Sequence, residues 1–218
     1  MEAKVIQVER EIVEQFVCKQ HYSHRMSIFW CGFALVENSR VEGVCLFGQP
    51  SPPIQKYAFK DRDFKMLELT RLVVQTKTKN AASFLVANAL NQLEKPCAVI
   101  SFADTEHHHV GIIYQATNWM YTGATVSHDH MYLIDGEKRH SMSLRDKGIT
   151  NPKTWAKANG IQTFSPLPKH RYFYLCGDKR QKKTMLSKLT YPIIKEYPKS
   201  DKVNYDTGEE IVCFMPFV

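Results

Sequence analysis

The sequence lacks any feature that would place the protein in or across a membrane. No run approaches the roughly 18 uninterrupted apolar residues that a membrane-spanning helix needs. The segment Met1-Glu2-Ala3-Lys4 leads into a mixed sequence without the apolar core of a secretory signal. The sequence therefore predicts an intracellular protein that has no membrane association.

Closely spaced cysteines are also lacking. The chain has 6 cysteines in 218 residues and no Cys-x-x-Cys pair, which argues against a zinc ribbon and a disulfide-stapled fold. We expect most of them to be reduced, buried and packed as small hydrophobic side chains. They are Cys18, Cys31, Cys45, Cys97, Cys176 and Cys213.

Acidic residues are scarce in the last third of the chain. Between Gly136 and Lys199, about 15 Lys and Arg accompany about 4 Asp and Glu, and aromatic residues such as Trp155 and Tyr172 lie among them. Cations neutralise phosphates, and aromatic rings stack on unpaired bases. The pattern favours nucleic-acid binding, and the alternative is a solvated basic face on an ordinary enzyme.

The rest of the composition is that of a globular protein, with 44% hydrophobic residues. Hydrophobic periodicity predicts one α/β domain over residues 1–218, with a central mixed sheet flanked by helices and a basic C-terminal extension. Within it, residues 136–168 are expected as a basic insertion or extension and residues 48–53 as a loop. Strands are predicted at residues 4–8, 33–36, 43–47, 66–74, 97–102, 121–123, 131–134 and 171–175, and helices at 10–20, 80–93 and 110–119.

Two candidate catalytic residues follow the buried strand at residues 97–102. Asp104 lies directly after this strand, at the edge where open α/β sheets bind ligands. Its carboxylate can accept a proton or a hydrogen bond from an exocyclic amine, or it can cap the next helix. Tyr114 lies within that helix, where it can stack, donate a proton or form part of the core.

Three further residues stand out by their positions. His21 and Tyr22 lie in a polar loop, a common location for catalytic residues, although His21 can also interact with the end of the preceding helix. Arg71 interrupts an apolar strand, where an unpaired cation is costly. An ion pair with Asp104, a phosphate contact and an ion pair with Glu68 all remain open for Arg71.

Anion and metal sites are each indicated by one pattern. The helix predicted to begin at Asn80 offers free backbone amides to a pyrophosphate. The histidines at residues 107–109, 128 and 130, with Asp129 between the last two, suggest a metal, with iron or zinc favoured by imidazole and carboxylate ligands. Adjacent histidines cannot all reach one ion, so no metal ligands are assigned.

Several motifs occur together in the order HYS (21–23), ELTRL (68–72), NAASFL (80–85), ISFAD (100–104), GIIYQATNW (111–119) and KHRY (169–172). With them, the chain resembles the Mom family of phage DNA-modification proteins from about residue 20 to 175. The resemblance implies a GNAT-like acyltransferase fold and an enzyme that converts adenine to N6-carbamoylmethyl-adenine in phage DNA. This modification would protect the DNA from host restriction.

The resemblance also implies partners and a location. Double-stranded DNA and a small-molecule group donor are the expected partners, in the cytoplasm of the infected bacterium. The donor is open: acetyl-coenzyme A or another acyl or aminoacyl compound is considered, and so is iron as a cofactor. The oligomeric state is open as well, with a dimer among the options.

The family motifs, together with the residue patterns, give three sets of candidate site residues. The catalytic candidates are Asp104, Tyr114, His21, Tyr22 and Ser101. The donor-binding candidates are Asn80, Ala81, Ala82, Ser83, Arg71 and Asn118. The DNA-binding candidates are Lys169, His170, Arg171, Arg180, Lys182 and Lys183. The glycine-rich pyrophosphate loop of GNAT enzymes is not reproduced, because residues 76–82 contain no glycine, and this disfavours coenzyme A.

Two other functions are consistent with the sequence. One is a GNAT-type N-acyltransferase that transfers an acyl group from coenzyme A to a small amine or a protein, for which the basic segment is incidental. The other is a non-catalytic DNA-binding module that retains the acyltransferase fold.

Overall fold

The structure of the protein is a computed structural model that describes residues 3–126 and 130–199. The strands are β1 (Lys4–Val8), β2 (Cys31–Glu37), β3 (Arg40–Gly48), β4 (Lys65–Val74), β5 (Cys97–Ala103), β6 (Met120–Ala124), β7 (Met131–Ile134), β8 (Glu137–His140), β9 (Thr163–Phe164) and β10 (His170–Cys176). The helices are α1 (Arg10–Gln20), α2 (Pro52–Tyr57), α3 (Ala81–Gln92), α4 (Ile112–Ala116), α5 (Ser141–Asp146), α6 (Pro152–Ala158) and α7 (Lys179–Lys188), and a short 3₁₀ helix covers Thr105–His107. Within these ranges, no helix has the length and apolar character needed to cross a membrane.

A 7-stranded sheet in the order β1-β2-β3-β4-β5-β10-β6 forms the centre of the molecule. Its neighbouring strands are antiparallel, except that β4 and β5 run parallel. Helices flank the sheet, so the predicted α/β class with a central mixed sheet is confirmed.

Both faces of the central sheet are buried because side chains alternate along each strand. In β2, Phe33 packs with α3, whereas the next residue, Ala34, packs with α1 on the opposite face. Helix α1 has the predicted bounds and buries Val13, Phe16 and Val17 at helical spacing. The local pattern and the tertiary packing therefore agree at this helix.

The described cysteines are free thiols, as expected. Three of them, Cys45, Cys97 and Cys176, are buried, Cys31 is half-buried and Cys18 is exposed. Cys213 lies outside the described residues.

Two elements differ from their predictions. The helix predicted at residues 110–119 is limited to α4 because Gly111 and Asn118 have left-handed backbone conformations, with φ of 79° and 60°. A Cβ atom on Gly111 would lie 2.5 Å from the Tyr172 ring, so this position requires glycine. In the predicted loop 48–53, helix α2 begins at Pro52, because proline fits the first turn of a helix.

Residues 130–168, here called the second-sheet unit, form a smaller structure that the periodicity did not predict. Its 3-stranded sheet has the order β8-β7-β9, and α5 and α6 enclose a core of Tyr132, Leu144 and Ala156. The strand predicted at residues 131–134 is confirmed as β7, which pairs with β8 and β9 rather than with the central sheet. Strands β8 and β9 are short and mostly polar, so alternation does not reveal the partners of β7.

Strands β4 and β5 pair only over their first residues. Their register runs from Lys65 opposite Cys97 to Glu68 opposite Ile100. Beyond this point β4 continues along β3, while β5 continues along β10. The separation creates an opening at the carboxyl ends of two central strands, where α/β sheets bind ligands.

Candidate active site

Two hydroxyl groups meet at the opening between β4 and β5. Ser101 of β5 is buried, and its Oγ donates a hydrogen bond to the carbonyl of Leu69 in β4 at 2.7 Å. The Tyr114 hydroxyl, from α4, lies 2.7 Å from Ser101 Oγ. The structure thus brings together two of the predicted catalytic residues, Ser101 and Tyr114.

Asp104 forms an ion pair with Lys169 at the end of β5, in which the Asp104 side chain is buried and the Lys169 side chain is 43% exposed. The Asp104 side chain is 10% exposed, and its carboxylate accepts hydrogen bonds from Lys169 Nζ at 2.6 Å and from the Glu106 amide at 3.1 Å. Burial raises the pKa of the Asp104 carboxyl, but the Lys169 ammonium and the Glu106 amide lower it by more, so the net shift is downward. Asp104 therefore stays anionic while it also caps the 3₁₀ helix.

Tyr22 lies between Asp104 and a group of histidines. Its ring centroid is 4.3 Å from that of His21, 4.1 Å from that of His107 and 6.2 Å from that of His109. Burial, the charge of Asp104 and a hydrogen bond to Asp104 raise the pKa of Tyr22 to about 12, although Arg71 opposes the shift. The phenol is therefore protonated and can donate to the Asp104 carboxylate.

His21 is buried and neutral. Burial, followed by the charge of Arg71, lowers its pKa to about 3. Its Nδ1 accepts a hydrogen bond from the Ser23 amide at 3.1 Å and lies 2.8 Å from Ser23 Oγ. Because Nδ1 is an acceptor, the hydrogen-bond network assigns the ring proton to Nε2.

Glu68 and Arg71 occupy the β4 side of the opening. Burial raises the pKa of Glu68 to about 7, against the charges of Arg71 and Lys169. Arg71 donates from Nε to the Arg25 carbonyl at 2.9 Å and from Nη1 to the Thr70 carbonyl at 2.7 Å. Arg71 thereby connects the loop that contains Tyr22 and Arg25, here called the Tyr22 loop, to β4. Within the described residues, Asp104 forms its ion pair with Lys169 rather than with Arg71.

Sequence reasoning missed two residues of this group. Glu68 was considered only as a partner for Arg71, although a carboxyl between Leu67 and Leu69 in an apolar strand was a signal. His107 was set aside with the other adjacent histidines, yet its ring contacts Tyr22. Only the fold brings the loop that contains His107 to the loop that contains Tyr22.

The donor-binding candidates lie mainly at the start of α3. Asn80 precedes this helix with φ of 65°, and its carbonyl accepts a hydrogen bond from Ser83 Oγ at 2.9 Å. Ala81, the first residue of α3, is buried, and Ala82 is half-buried. Asn118, by contrast, lies at the exposed turn that follows α4. The loop before α3 thus has a left-handed residue at the position of Asn80 without a glycine.

The DNA-binding candidates at the start of β10 are mostly engaged within the protein. Lys169 pairs with Asp104, and His170 Nδ1 lies 2.9 Å from the Tyr121 hydroxyl. Arg171 is buried: it donates to Thr122 Oγ1 at 3.0 Å and to the Thr122 carbonyl at 2.8 Å. The guanidinium of Arg171 is therefore engaged within the protein, and its contact with phosphate stays a prediction.

The remaining DNA-binding candidates lie far from Asp104. Strand β10 runs from His170, opposite the end of β5, to Cys176, opposite its start. At about 3.3 Å per residue, this separation is about 20 Å, and α7 begins only after it. The structure therefore does not bring Arg180, Lys182 and Lys183, which are exposed on α7, together with the candidate site.

Metal ligation was left open by the sequence. Among residues 3–126 and 130–199, no three His, Cys, Asp or Glu side chains are arranged to hold a metal ion. His128 and Asp129 lie outside the described residues.

Comparison with protein families identifies the chain. A model of the Mom protein family matches residues 2–199. The chain belongs to the Mom protein family. Comparison with curated proteins gives no match. The GNAT-like fold that the Mom resemblance implies agrees with the observed topology, in which β4 and β5 form the one parallel pair of the central sheet and then separate.

Solved structures similar to this Mom family member include three acetyltransferases. One is a GNAT-family acetyltransferase from Bacillus cereus ATCC 10987, with 8% identity, a TM-score of 0.44, and coverage of 82% of this chain and 100% of that chain. An N-acetyltransferase from Staphylococcus aureus Mu50 has 12% identity, a TM-score of 0.45, and coverage of 81% and 100%. A Bacillus subtilis acetyltransferase in complex with CoA has 11% identity, a TM-score of 0.41, and coverage of 80% and 99%.

Proposed function

We propose that this protein is a DNA-modifying enzyme that converts adenine to N6-carbamoylmethyl-adenine in phage DNA and so protects it from host restriction. Membership of the Mom family supports this choice of substrate. The observation that carries the chemistry is the Asp104 carboxylate, which is buried beside Lys169 and Tyr22 at the opening between β4 and β5.

Adenine N6 requires a nearby hydrogen-bond acceptor and a base. Its lone pair is delocalised into the ring, and a new N–C bond forms only with loss of an N6 proton. Asp104, which is anionic, accepts a hydrogen bond from N6 and orients it. Glu68, whose pKa is raised to about 7, removes the proton. Tyr22 stacks on the base and keeps the Asp104 carboxylate in position.

The base must leave the DNA helix to reach the opening between β4 and β5, because N6 is paired within a duplex. Exposed cations of the second-sheet unit hold the DNA backbone. This unit contacts the Asp104 segment through Lys138 and Glu106, 4.0 Å apart. The exposed cations of this unit are Lys138, Arg145, Lys147, Lys153 and Lys157.

The transferred group constrains the donor. A carbamoylmethyl group is joined to N6 through its CH2 carbon, so acyl transfer from acetyl-coenzyme A would give a different product. We infer a small-molecule donor with an electrophilic methylene carbon, whose leaving group receives a proton from Tyr114. An anionic part of the donor binds the first-turn amides of α3, with Asn80 in the conformation that glycine usually supplies.

Restriction of plasmid DNA tests the role of Asp104. Plasmid from bacteria that express the wild type is expected to resist a panel of endonucleases whose sites contain adenine. In Asp104→Asn, the loss of the anionic acceptor is expected to lower the extent of modification about 100-fold, so the plasmid becomes sensitive. Asp63→Asn is the matched control, because Asp63 also lies 2.6 Å from a lysine, Lys188, but is 72% exposed.

Wild-type protection in Asp104→Asn would contradict the assigned role. Sensitive plasmid from wild-type cells, together with acylation of a small amine or a protein by the purified protein, would favour the N-acyltransferase alternative. DNA binding without either activity would favour the non-catalytic module.

A further inference from the structure

An exposed leucine lies in a stiff segment next to the Asp104 pocket. Leu167 is 50% exposed, although large aliphatic side chains are usually buried. Pro166 and Pro168 flank it. Each proline ring fixes its own φ, and the residue before a proline is restricted to extended conformations. Leu167 is therefore held out in solvent by a backbone that has little freedom.

The segment is attached to the pocket immediately after Leu167. The Pro168 carbonyl accepts a hydrogen bond from Thr105 Oγ1 at 2.6 Å. The next residue, Lys169, places its Nζ 2.6 Å from Asp104. Two residues of chain span at most about 7 Å between Cα atoms, so the backbone of Leu167 lies close to the residues that bind Asp104.

The neighbouring strand end is bonded to this segment. Thr125 donates its amide to the Lys169 carbonyl at 2.8 Å and accepts the Lys169 amide on Oγ1 at 2.9 Å. Val126 follows Thr125 and is 80% exposed. Two exposed apolar side chains thus stand beside an otherwise polar and charged opening.

We propose that Leu167 enters the base stack of the DNA and fills the space that the target adenine leaves when it turns toward Asp104. This inference rests on the proposed function, because only a substrate base that leaves a duplex creates such a space. Apolar side chains serve as wedges between base steps in other DNA-binding proteins. A preordered segment loses little conformational entropy on insertion. Leu167 acts on the base through the stack and is a positioning residue.

The test compares Leu167→Ala with Leu167→Met and Leu186→Ala in bacteria. Leu186 on α7 is also an exposed leucine, at 42%, and lies outside the candidate site. Modified deoxyadenosine in digested cellular DNA is measured by mass spectrometry. We expect Leu167→Ala to lower the modified fraction about tenfold because unstacking is no longer compensated, whereas Leu167→Met and Leu186→Ala stay near the wild type.

A fluorescence measurement separates a wedge from a merely structural residue. Purified variants are mixed with duplexes that carry 2-aminopurine at a position modified in wild-type cells, opposite thymine or opposite an abasic site. Leu167→Ala is expected to lose the fluorescence increase opposite thymine and to retain it opposite the abasic site, where no base pair resists extrusion. Equal fluorescence increases with Leu167→Ala and Leu186→Ala on both duplexes would overturn the role of Leu167 as a wedge but not the proposed function. Wild-type DNA without modified adenine would overturn the proposed function and the wedge with it.

Discussion

At the residue scale, the opening holds two carboxyl groups in different surroundings. Asp104 accepts hydrogen bonds from Lys169 and from the Glu106 amide, which keep its pKa below the usual value. Burial instead raises the pKa of Glu68 to about 7. Two carboxyl groups whose pKa values are pushed apart can divide hydrogen-bond acceptance and proton transfer between them.

The raised pKa of Glu68 predicts a pH dependence of stability. The folded protein binds more protons than the unfolded chain between the ordinary glutamate pKa of 4.5 and the raised pKa of about 7. The stability that Glu68 contributes is therefore complete below this window and is lost as pH rises through it. The free energy of unfolding of Glu68→Gln minus that of the wild type is therefore expected to increase by on the order of 2 kcal/mol when the pH is raised from about 5 to about 8.

Urea denaturation followed by circular dichroism at these two pH values measures the difference. Glu94→Gln is the control, because it makes the same change at a side chain that is 82% exposed. If the difference in unfolding free energy between Glu68→Gln and the wild type is the same at both pH values, Glu68 is solvated and is not the base.

The individual catalytic candidates were accessible from sequence because they stand out locally. Asp104 ends a buried strand, and His21 and Tyr22 follow an amphipathic helix. The relation between them was not accessible, since the contact of Tyr22 with His107 joins loops that are far apart in sequence. For the same reason the basic residue Lys169 was assigned to DNA, whereas the fold pairs it with Asp104.

At the element scale, the second-sheet unit and α7 each carry exposed cations, and we expect only those of the second-sheet unit to bind DNA. The second-sheet unit lies beside the pocket, while α7 begins about 20 Å away along β10. Charge reversal at Lys147, Lys153 and Lys157 is expected to weaken DNA binding and to reduce the slope of log affinity against log salt by about 2.7.

The matched control reverses three exposed cations of α7, Arg180, Lys182 and Lys183. Its salt slope on duplex DNA is expected to equal that of the wild type, as measured by fluorescence anisotropy over a range of salt concentrations. A smaller slope in the α7 variant than in the second-sheet variant would place the DNA on the opposite end of the sheet and contradict the proposed orientation.

Elements with a clear period were predicted well, and short polar ones were not. The bounds of strand β1 and helix α1 were predicted correctly, because a short apolar segment and an amphipathic stripe are visible in their sequences. Strand β9 has only 2 residues, and β8 is almost wholly polar. Their pairing with β7 depends on tertiary contacts around Tyr132, which local patterns do not encode.

At the scale of the whole molecule, three separate segments meet around the pocket. Arg25, from the Tyr22 loop, pairs with Asp146 of α5 at 2.8 Å, and Thr105 bonds to the Pro168 carbonyl at 2.6 Å. The Arg25–Asp146 pair is about half exposed, so it contributes at most about 1 kcal/mol. Together the two contacts fix geometry: the second-sheet unit, the Tyr22 loop and the end of β5 face one opening.

Nucleoside analysis of cellular DNA shows whether the opening between β4 and β5 modifies adenine. DNA from bacteria that express the wild type or Asp104→Asn is digested to nucleosides and analysed by mass spectrometry. We expect a deoxyadenosine with one carbamoylmethyl group in place of a hydrogen in DNA from cells with the wild type, and its near absence with Asp104→Asn. Unmodified deoxyadenosine in cells that contain abundant folded wild-type protein would show that the protein is not an adenine-modifying enzyme.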